Sequence, residues 1–475
     1  MLWMIIRKEM LANVTSLRFV LTLLLVTAVF MVSGLVFVGK YDQDVESFRD
    51  ILNENLSGLQ KASGNLSDIP NYTQVIRKQP KITQICCEGF EKSLPNTFKM
   101  DGFTIQNPEI ISQSNFLFPR FADIDWAFIV SFILSFVAFL TTFDSFSAER
   151  ERGTLKLLMS NPVSRDKVIL GKYVSGILTL MIPLFVGLLI NLIIMNLSGL
   201  SFNNGAQWLR ILAFVGLSIL YLSVFALFGM LVSSRSTKSS SSIVILLFVW
   251  VIIVMVMPSV GGVIAEKFAK TPSRLEVERQ INEAGDEIWK NADRYGRNAG
   301  SWAGGVNLKE LRTMDWVNPP ARARLFNAVT DVKNQLNGEY INKAMAQVSL
   351  GRNATRISPT VMYQSASEAI IGTGVIRFRN LYNQLNRYRE TLKDYVMSID
   401  KKDPDGFHLW AEGRQHQILL SQKPVDYNAI PKFEEMEFSA GSVLEYALWD
   451  IGGLLLLNLL LFMGVYVSFL RRDIR

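Results

Sequence analysis

Apolar residues along this chain gather into six long blocks, separated by stretches that mix charged and apolar positions as a soluble protein does. A helix needs about 20 apolar residues in a row to cross the hydrocarbon core of a bilayer. Six segments meet that length, at 18–39, 126–146, 173–197, 209–232, 242–264 and 446–470, each rich in Leu, Ile, Val and Phe and almost free of charge. Inside lipid the backbone must satisfy its own hydrogen bonds, so only helices or closed barrels span it, and these unbroken runs lack barrel alternation. The first run is too long for a cleaved signal peptide and no clean small-residue cleavage site follows it, which makes it a retained span.

The intervening segments also carry helical periodicity. Val45, Phe48, Leu52, Leu56 and Leu59 recur at three- and four-residue steps, as do Leu325, Val329, Val332 and Leu336, and 361–399 reads mostly helical. Pro319, Pro320, Pro404 and Gly406 punctuate the second segment. At the N-terminus Trp3, Ile6, Met10, Val14 and Leu17 fall on one helix face, which predicts an interfacial helix over 1–17. The expected fold class is an all-α polytopic membrane protein with six transmembrane helices and two mainly α-helical extracytoplasmic insertions, at 40–125 and 265–445.

Charge sets the orientation. Lys and Arg concentrate beside the ends of spans that face the cytoplasm. Arg7, Lys8 and Arg18, the cluster from Arg150 to Lys172, Arg235, Lys238, and Arg471, Arg472 and Arg475 all fall on one side of the six-span arrangement. Both termini, the loops 147–172 and 233–241 and the tail 471–475 are therefore expected in the cytoplasm, with a short outer loop at 198–208. The net charge of +7 reflects this topology and implies no nucleic-acid partner. Charged residues make up 19% of the chain, below the roughly 25% of soluble proteins, which agrees with a bulk of membrane-embedded sequence.

The most informative stretch is the loop after the second span. Asp144, Glu149, Arg150, Glu151 and Arg152 form a polar helix end, Gly153 and Thr154 break it, Leu155 to Met159 read as a short amphipathic helix, and Pro162 to Arg165 turn the chain back. A rigid short helix held between two spans can transmit force from a bound partner to both. The plainer reading is a well-capped loop joining two helices.

The order E-R-E-x-G-T-L, then S-x-P-V-S-R and L-G-K-Y, resembles the ABC-2 permease family, and within it the branch that includes the nitrous-oxide-reductase maturation and gliding-motility permeases. The specific motif covers about 140–175; Ile357-Ser-Pro359-Thr and Gly372-Thr-Gly374 are similar to its long members. The resemblance implies an exporter-like bundle in the plasma membrane whose loop docks a separate ABC ATPase, with Glu149, Arg150, Glu151, Gly153, Thr154, Leu155, Pro162 and Arg165 as the coupling residues. It further implies two ATPase copies holding ATP and Mg²⁺, and a second permease chain, identical or related. No cofactor is expected on this chain itself, and membrane lipid is its surroundings.

Other candidates carry less. Gly34-Leu-Val-Phe-Val-Gly39-Lys40 imitates a phosphate loop, but Tyr41 follows where Ser or Thr must hold magnesium, and the run lies in a span. Asn191 and Asn458 lie inside spans, where polar groups are costly; they are candidates for a substrate path, against the alternative of interhelical hydrogen bonds. Pro183 and Pro258 are expected to kink their helices. His408 and His416 are eight residues apart and do not form a metal site. Adjacent Cys86 and Cys87 make no disulfide framework, leaving only the option of a bond to another chain. No catalytic residues stand out, so ATP hydrolysis requires a partner. The expected function is export or extraction of an unidentified substrate. The alternative is a mechanotransmission complex in which the outer domains act on a periplasmic partner without transport.

Overall fold

The computed structural model describes residues 2–106, 124–154, 164–202, 204–301, 313–412, 419–437 and 440–471. Six of its helices are long and apolar enough to cross a membrane. The main helices, in chain order, are α1 Leu2–Val14, α2 Leu17–Ala62, α3 Trp126–Glu151, α4 Arg165–Leu197, α5 Gly205–Arg235, α6 Ser239–Phe268, α7 Arg274–Lys290, α8 Pro319–Thr355, α9 Pro359–Ile371, α10 Gly374–Asp400 and α11 Ala440–Arg471. The spanning set is α2 to α6 with α11. The chain is an all-α polytopic membrane protein, as the apolar runs predict.

Helix α2 starts on a Ser16 cap, whose hydroxyl accepts from the Phe19 N–H, and then runs 46 residues without a break. At 1.5 Å per residue it is about 69 Å long, more than twice a hydrocarbon core. The apolar first half and the amphipathic second half are therefore one rod, rising from the bundle into the first insertion. The phosphate-loop lookalike lies inside it, and Lys40 pairs with Glu88 at 3.0 Å. Two close approaches hold α2 on α4. A Cβ at Gly187 would lie 2.2 Å from the Phe30 ring, and one at Gly34 would lie 2.4 Å from the Asn191 amide oxygen, so glycine is what lets these helices touch.

The first insertion adds a small three-stranded antiparallel sheet, ordered β1 Gln74–Arg77, β2 Thr97–Met100, β3 Ile105–Gln106. Strands of four residues or fewer are too short to register in a periodicity count, which is why the helical reading missed them. Its inner residues, Ile76, Phe98, Met100 and Ile105, share a core with α8 and α10. The two insertions are thus one outer body. At its centre Arg377 reaches Glu91 at 2.9 Å and Glu435 at 2.7 Å, all three nearly excluded from solvent.

Helix α9 departs from the expected layout. It packs chiefly between α5 and α11 within the spanning bundle, while Glu368 near its C-terminal end also reaches the first insertion, accepting from the Phe90 N–H at 2.8 Å. Tyr363 stacks on Tyr221 of α5, with ring centroids 4.4 Å apart, and its hydroxyl meets Ser218 at 2.8 Å. Two π-helical turns, Ile129–Leu134 in α3 and Val251–Val256 in α6, receive it. Such widened turns depart from the α-helical hydrogen-bond ladder. Here the Ser131 carbonyl accepts from Tyr221 and the Ile253 carbonyl from Ser358, the residue before α9. The π turn in α6 ends just before Pro258, so the irregularity expected there takes this form.

Candidate functional site

At the α1 end of the bundle, two carboxylates meet around one lysine. Lys172, in the second turn of α4, is 4% exposed. Its ammonium donates to Glu149 at 2.8 Å and to Glu9 of α1 at 3.0 Å, and lies over the Phe146 ring. A Lys is almost never fully buried without partners, and here two carboxylates on different helices supply them. Gly171 beside it lets α1 approach: a Cβ there would lie 2.8 Å from Ile5. Of the apolar face read along α1, only Ile6 is buried, while Trp3 stays 67% exposed.

The neighbouring motif residues fasten the end of α3 to the turn between α5 and α6. Arg150 donates to the backbone carbonyls of Ser236 and Ser234, at 2.5 and 3.2 Å, and so satisfies acceptors that a helix C-terminus leaves open. The Ser233 hydroxyl accepts from the backbone N–H groups of Phe146 and Ser147, at 3.0 and 3.1 Å. Glu151 accepts from the N–H and hydroxyl of Ser239, where α6 begins, a favourable place for a carboxylate. Asp144 pairs with Arg18 at 3.0 Å.

Beyond α3, Gly153 adopts φ +70°, the left-handed region that favours glycine. The Thr154 hydroxyl donates to the Glu149 carbonyl at 3.2 Å. Leu155 and Pro162 lie outside the described residues. On the far side of the loop, Arg165 opens α4 and donates to the Leu470 carbonyl at the end of α11, at 3.0 Å. Six of the eight motif residues can therefore be placed. They bring α1, α3, α4, α5, α6 and α11 together at the two ends of one loop.

The two intramembrane asparagines are interhelical ties. Asn191 is fully buried and donates to the Phe30 carbonyl of α2 at 2.8 Å. Asn458 donates to the Leu220 carbonyl at 3.1 Å and accepts from Ser223 at 2.5 Å, and Ser223 in turn meets Tyr173 at 2.6 Å. That chain links α11, α5 and α4 one residue from Lys172. In the sequence Lys172 is one letter of the L-G-K-Y pattern, with no role of its own. The available signal was a lone charge at the mouth of an apolar run, which is costly unless paired.

Among the described residues no group of three or more His, Cys, Asp and Glu could hold a metal. His408 Nδ1 meets Asp400 at 2.9 Å, and His416 lies outside the described residues. Cys86 and Cys87 are both unpaired thiols, fully buried in the core that contains Trp126.

The family model described as ABC-2 family transporter protein matches residues 3–474. No curated protein matches the chain.

Proposed function

The chain belongs to the ABC-2 transporter family and is a transmembrane permease component; on that premise we propose that it couples ATP hydrolysis by separate ABC ATPase subunits to export or extraction of a substrate. The observation that carries this reading is the convergence of six helices on the ends of the 152–164 loop, through Lys172, Arg150, Glu151 and Arg165. A partner that grips the loop pulls on all of them together. Glu149 and Glu151 act here as internal anchors, since both are engaged with this chain's own Lys172 and Ser239. The two outcomes of the cycle are conformations whose balance ATP binding shifts. A complex of two ATPase copies binding ATP and Mg²⁺ with two permease chains, set in the plasma membrane with the loop in the cytoplasm, follows from this reading.

The test is a Glu149→Gln, Glu151→Gln double variant co-purified with the ATPase subunit. The expected result is an intact complex or a weakened one whose ATP turnover is no longer tied to transport. Unchanged coupling would remove the assigned role.

One observation favours a second reading. The unbroken α2 rod carries any tilt of its spanning half directly into the outer body. Asn55 donates to the Val75 carbonyl at 2.7 Å and Arg77 pairs with Asp44 at 2.6 Å, so the sheet rides on it. In that reading the outer body acts on a periplasmic partner and nothing crosses the bilayer. ATP turnover that responds to an added outer partner, with no uptake into vesicles, would select it.

A further inference from the structure

We infer that the cavity between α8, α10 and the outer end of α11 binds a phosphate anion carried by a lipid-like amphiphile. The cavity holds about 370 Å³, within the roughly 300–1,000 Å³ of small-molecule sites. Helical spacing aims one polar stripe at it from each wall. Arg352 lies in the last turn of α8 and Arg356 caps its end, Arg379, Asn380 and Asn383 lie within about one turn on α10, and Asp450 closes the end from α11.

The charge balance selects the ligand. Arg356 Nε donates to Asp450 at 2.6 Å, and Arg352 donates to the buried Glu368 at 2.5 Å. Each of those bonds occupies one of the five N–H donors of a guanidinium. Arg379 is exposed and makes no ion pair among the described residues. Three guanidinium groups therefore face two carboxylates, and amide groups of Asn380 and Asn383 add further donors. Guanidinium forks match phosphate oxygens in shape as well as charge. A cationic ligand would meet repulsion here.

The surroundings supply the second half of the argument. Tyr446 lines the cavity and is 48% exposed, and next in sequence to its lining residues Asp450 and Arg356, Trp449 is 79% and Ile357 71% exposed. Tyr and Trp concentrate at the membrane–water interface, so this wall lies at headgroup depth. An anion in the cavity would have its apolar chains against these exposed side chains. A soluble phosphate has no use for them. The site goes beyond the permease reading, because it would bind this ligand whether or not the chain moves it.

The experiment is a titration of the purified full chain, in uncharged detergent, with dioctanoyl phosphatidic acid, read by native mass spectrometry. A second arm uses inorganic phosphate. Arg379→Gln and Asn383→Asp are the variants; neither residue anchors the fold through an ion pair, and unliganded thermal unfolding checks that both stay folded. Saturable binding of the phosphatidic acid that falls about tenfold in Arg379→Gln, and further in Asn383→Asp, is expected. Inorganic phosphate should compete weakly. If inorganic phosphate binds as tightly as the lipid, the amphiphile assignment is overturned. If both variants bind the lipid as the parent does, the site itself is overturned, while the coupling loop and its own test stand unaffected.

Discussion

Replacing Lys172 with Met is the sharpest probe of the hub at the α1 end. The ammonium lies 2.8 Å from Glu149 and 3.0 Å from Glu9, and at an effective dielectric near 20 each pair attracts by about 6 kcal/mol. Most of that is offset by the several kcal/mol needed to strip each ion of water. Methionine keeps the volume and apolar stem but leaves two carboxylates facing each other with no cation between them. Both glutamates are about one-fifth exposed (21% and 22%), so they recover part of their hydration. The expected loss is about 2–4 kcal/mol, at the lower edge of what breaking a buried ion pair costs. Equilibrium unfolding in mixed detergent micelles measures it. Adding Glu149→Gln to Lys172→Met removes one of the two stranded charges and should return about 1 kcal/mol, a non-additivity that a simple packing defect would not produce. A Lys172→Met variant within 0.5 kcal/mol of the parent, or a double variant no better than the single one, would refute the argument.

Two further predictions test other links. Asn458→Leu removes the bonds to Ser223 and to the Leu220 carbonyl, leaving Ser223 with Tyr173 alone, and should cost about 0.6–1.7 kcal/mol, the range of interhelical hydrogen bonds in membrane proteins; a neutral result by the same unfolding measurement removes the three-helix tie. In the outer body, burial pushes the Glu435 carboxyl up, but the hydrogen bonds and charge of Arg377 outweigh it and hold the group below its ordinary range. A depressed carboxylate stabilises the fold above its unfolded pKa, about 4.3, and that contribution disappears as pH falls through the lower folded value. The protection of α10 amides, relative to the intrinsic exchange rate at each pH, should therefore fall on acidification from pH 5 to pH 3, and Glu435→Gln should flatten the response; an equally steep response in the variant would contradict the assignment.

What could be read in advance follows from which forces act locally. Spans are legible because lipid imposes one rule on every residue within them, and a helix with one face in water cannot carry 20 apolar positions in a row. The loop motif was legible as residue types in order, yet its bonds were not. Glu149 and Glu151 look alike in sequence, but one is held by Lys172 at 2.8 Å and the other accepts from a serine that opens α6. Partners 23 and 88 residues away cannot be inferred from local spacing. The fate of α9 is the strongest case. Its 13 residues are more apolar than the helices of the outer body but too few to cross a bilayer, and they include Tyr363, Ser367 and Glu368, so length assigns it to the outside. It is buried because Ser218 pairs with Tyr363, Tyr221 pairs with Thr360, and the π-turn carbonyl of Ile253 accepts from Ser358, and those partners are in place only once α5 and α6 have come together.

Helix α11 joins the two ends of the molecule that carry chemistry. It spans 32 residues, about 48 Å as a rigid helix. Near its C-terminal end the Leu470 carbonyl holds Arg165, beside the loop; at its middle Asn458 is tied to Ser223; near its outer end Asp450 holds Arg356 in the wall of the cationic cavity. Each tie is polar and short, and the one at Asn458 lies within the bundle, where losing it has no water to compensate. Sliding α11 by even one residue would break all three together, so the helix must shift as a body with its partners or stay where it is. The bundle therefore favours a small number of discrete arrangements over continuous bending. On the proposed coupling, a displacement of Arg165 by a partner at the loop would reach Asp450 along the α11 backbone, and Arg356 and the cavity wall would follow it.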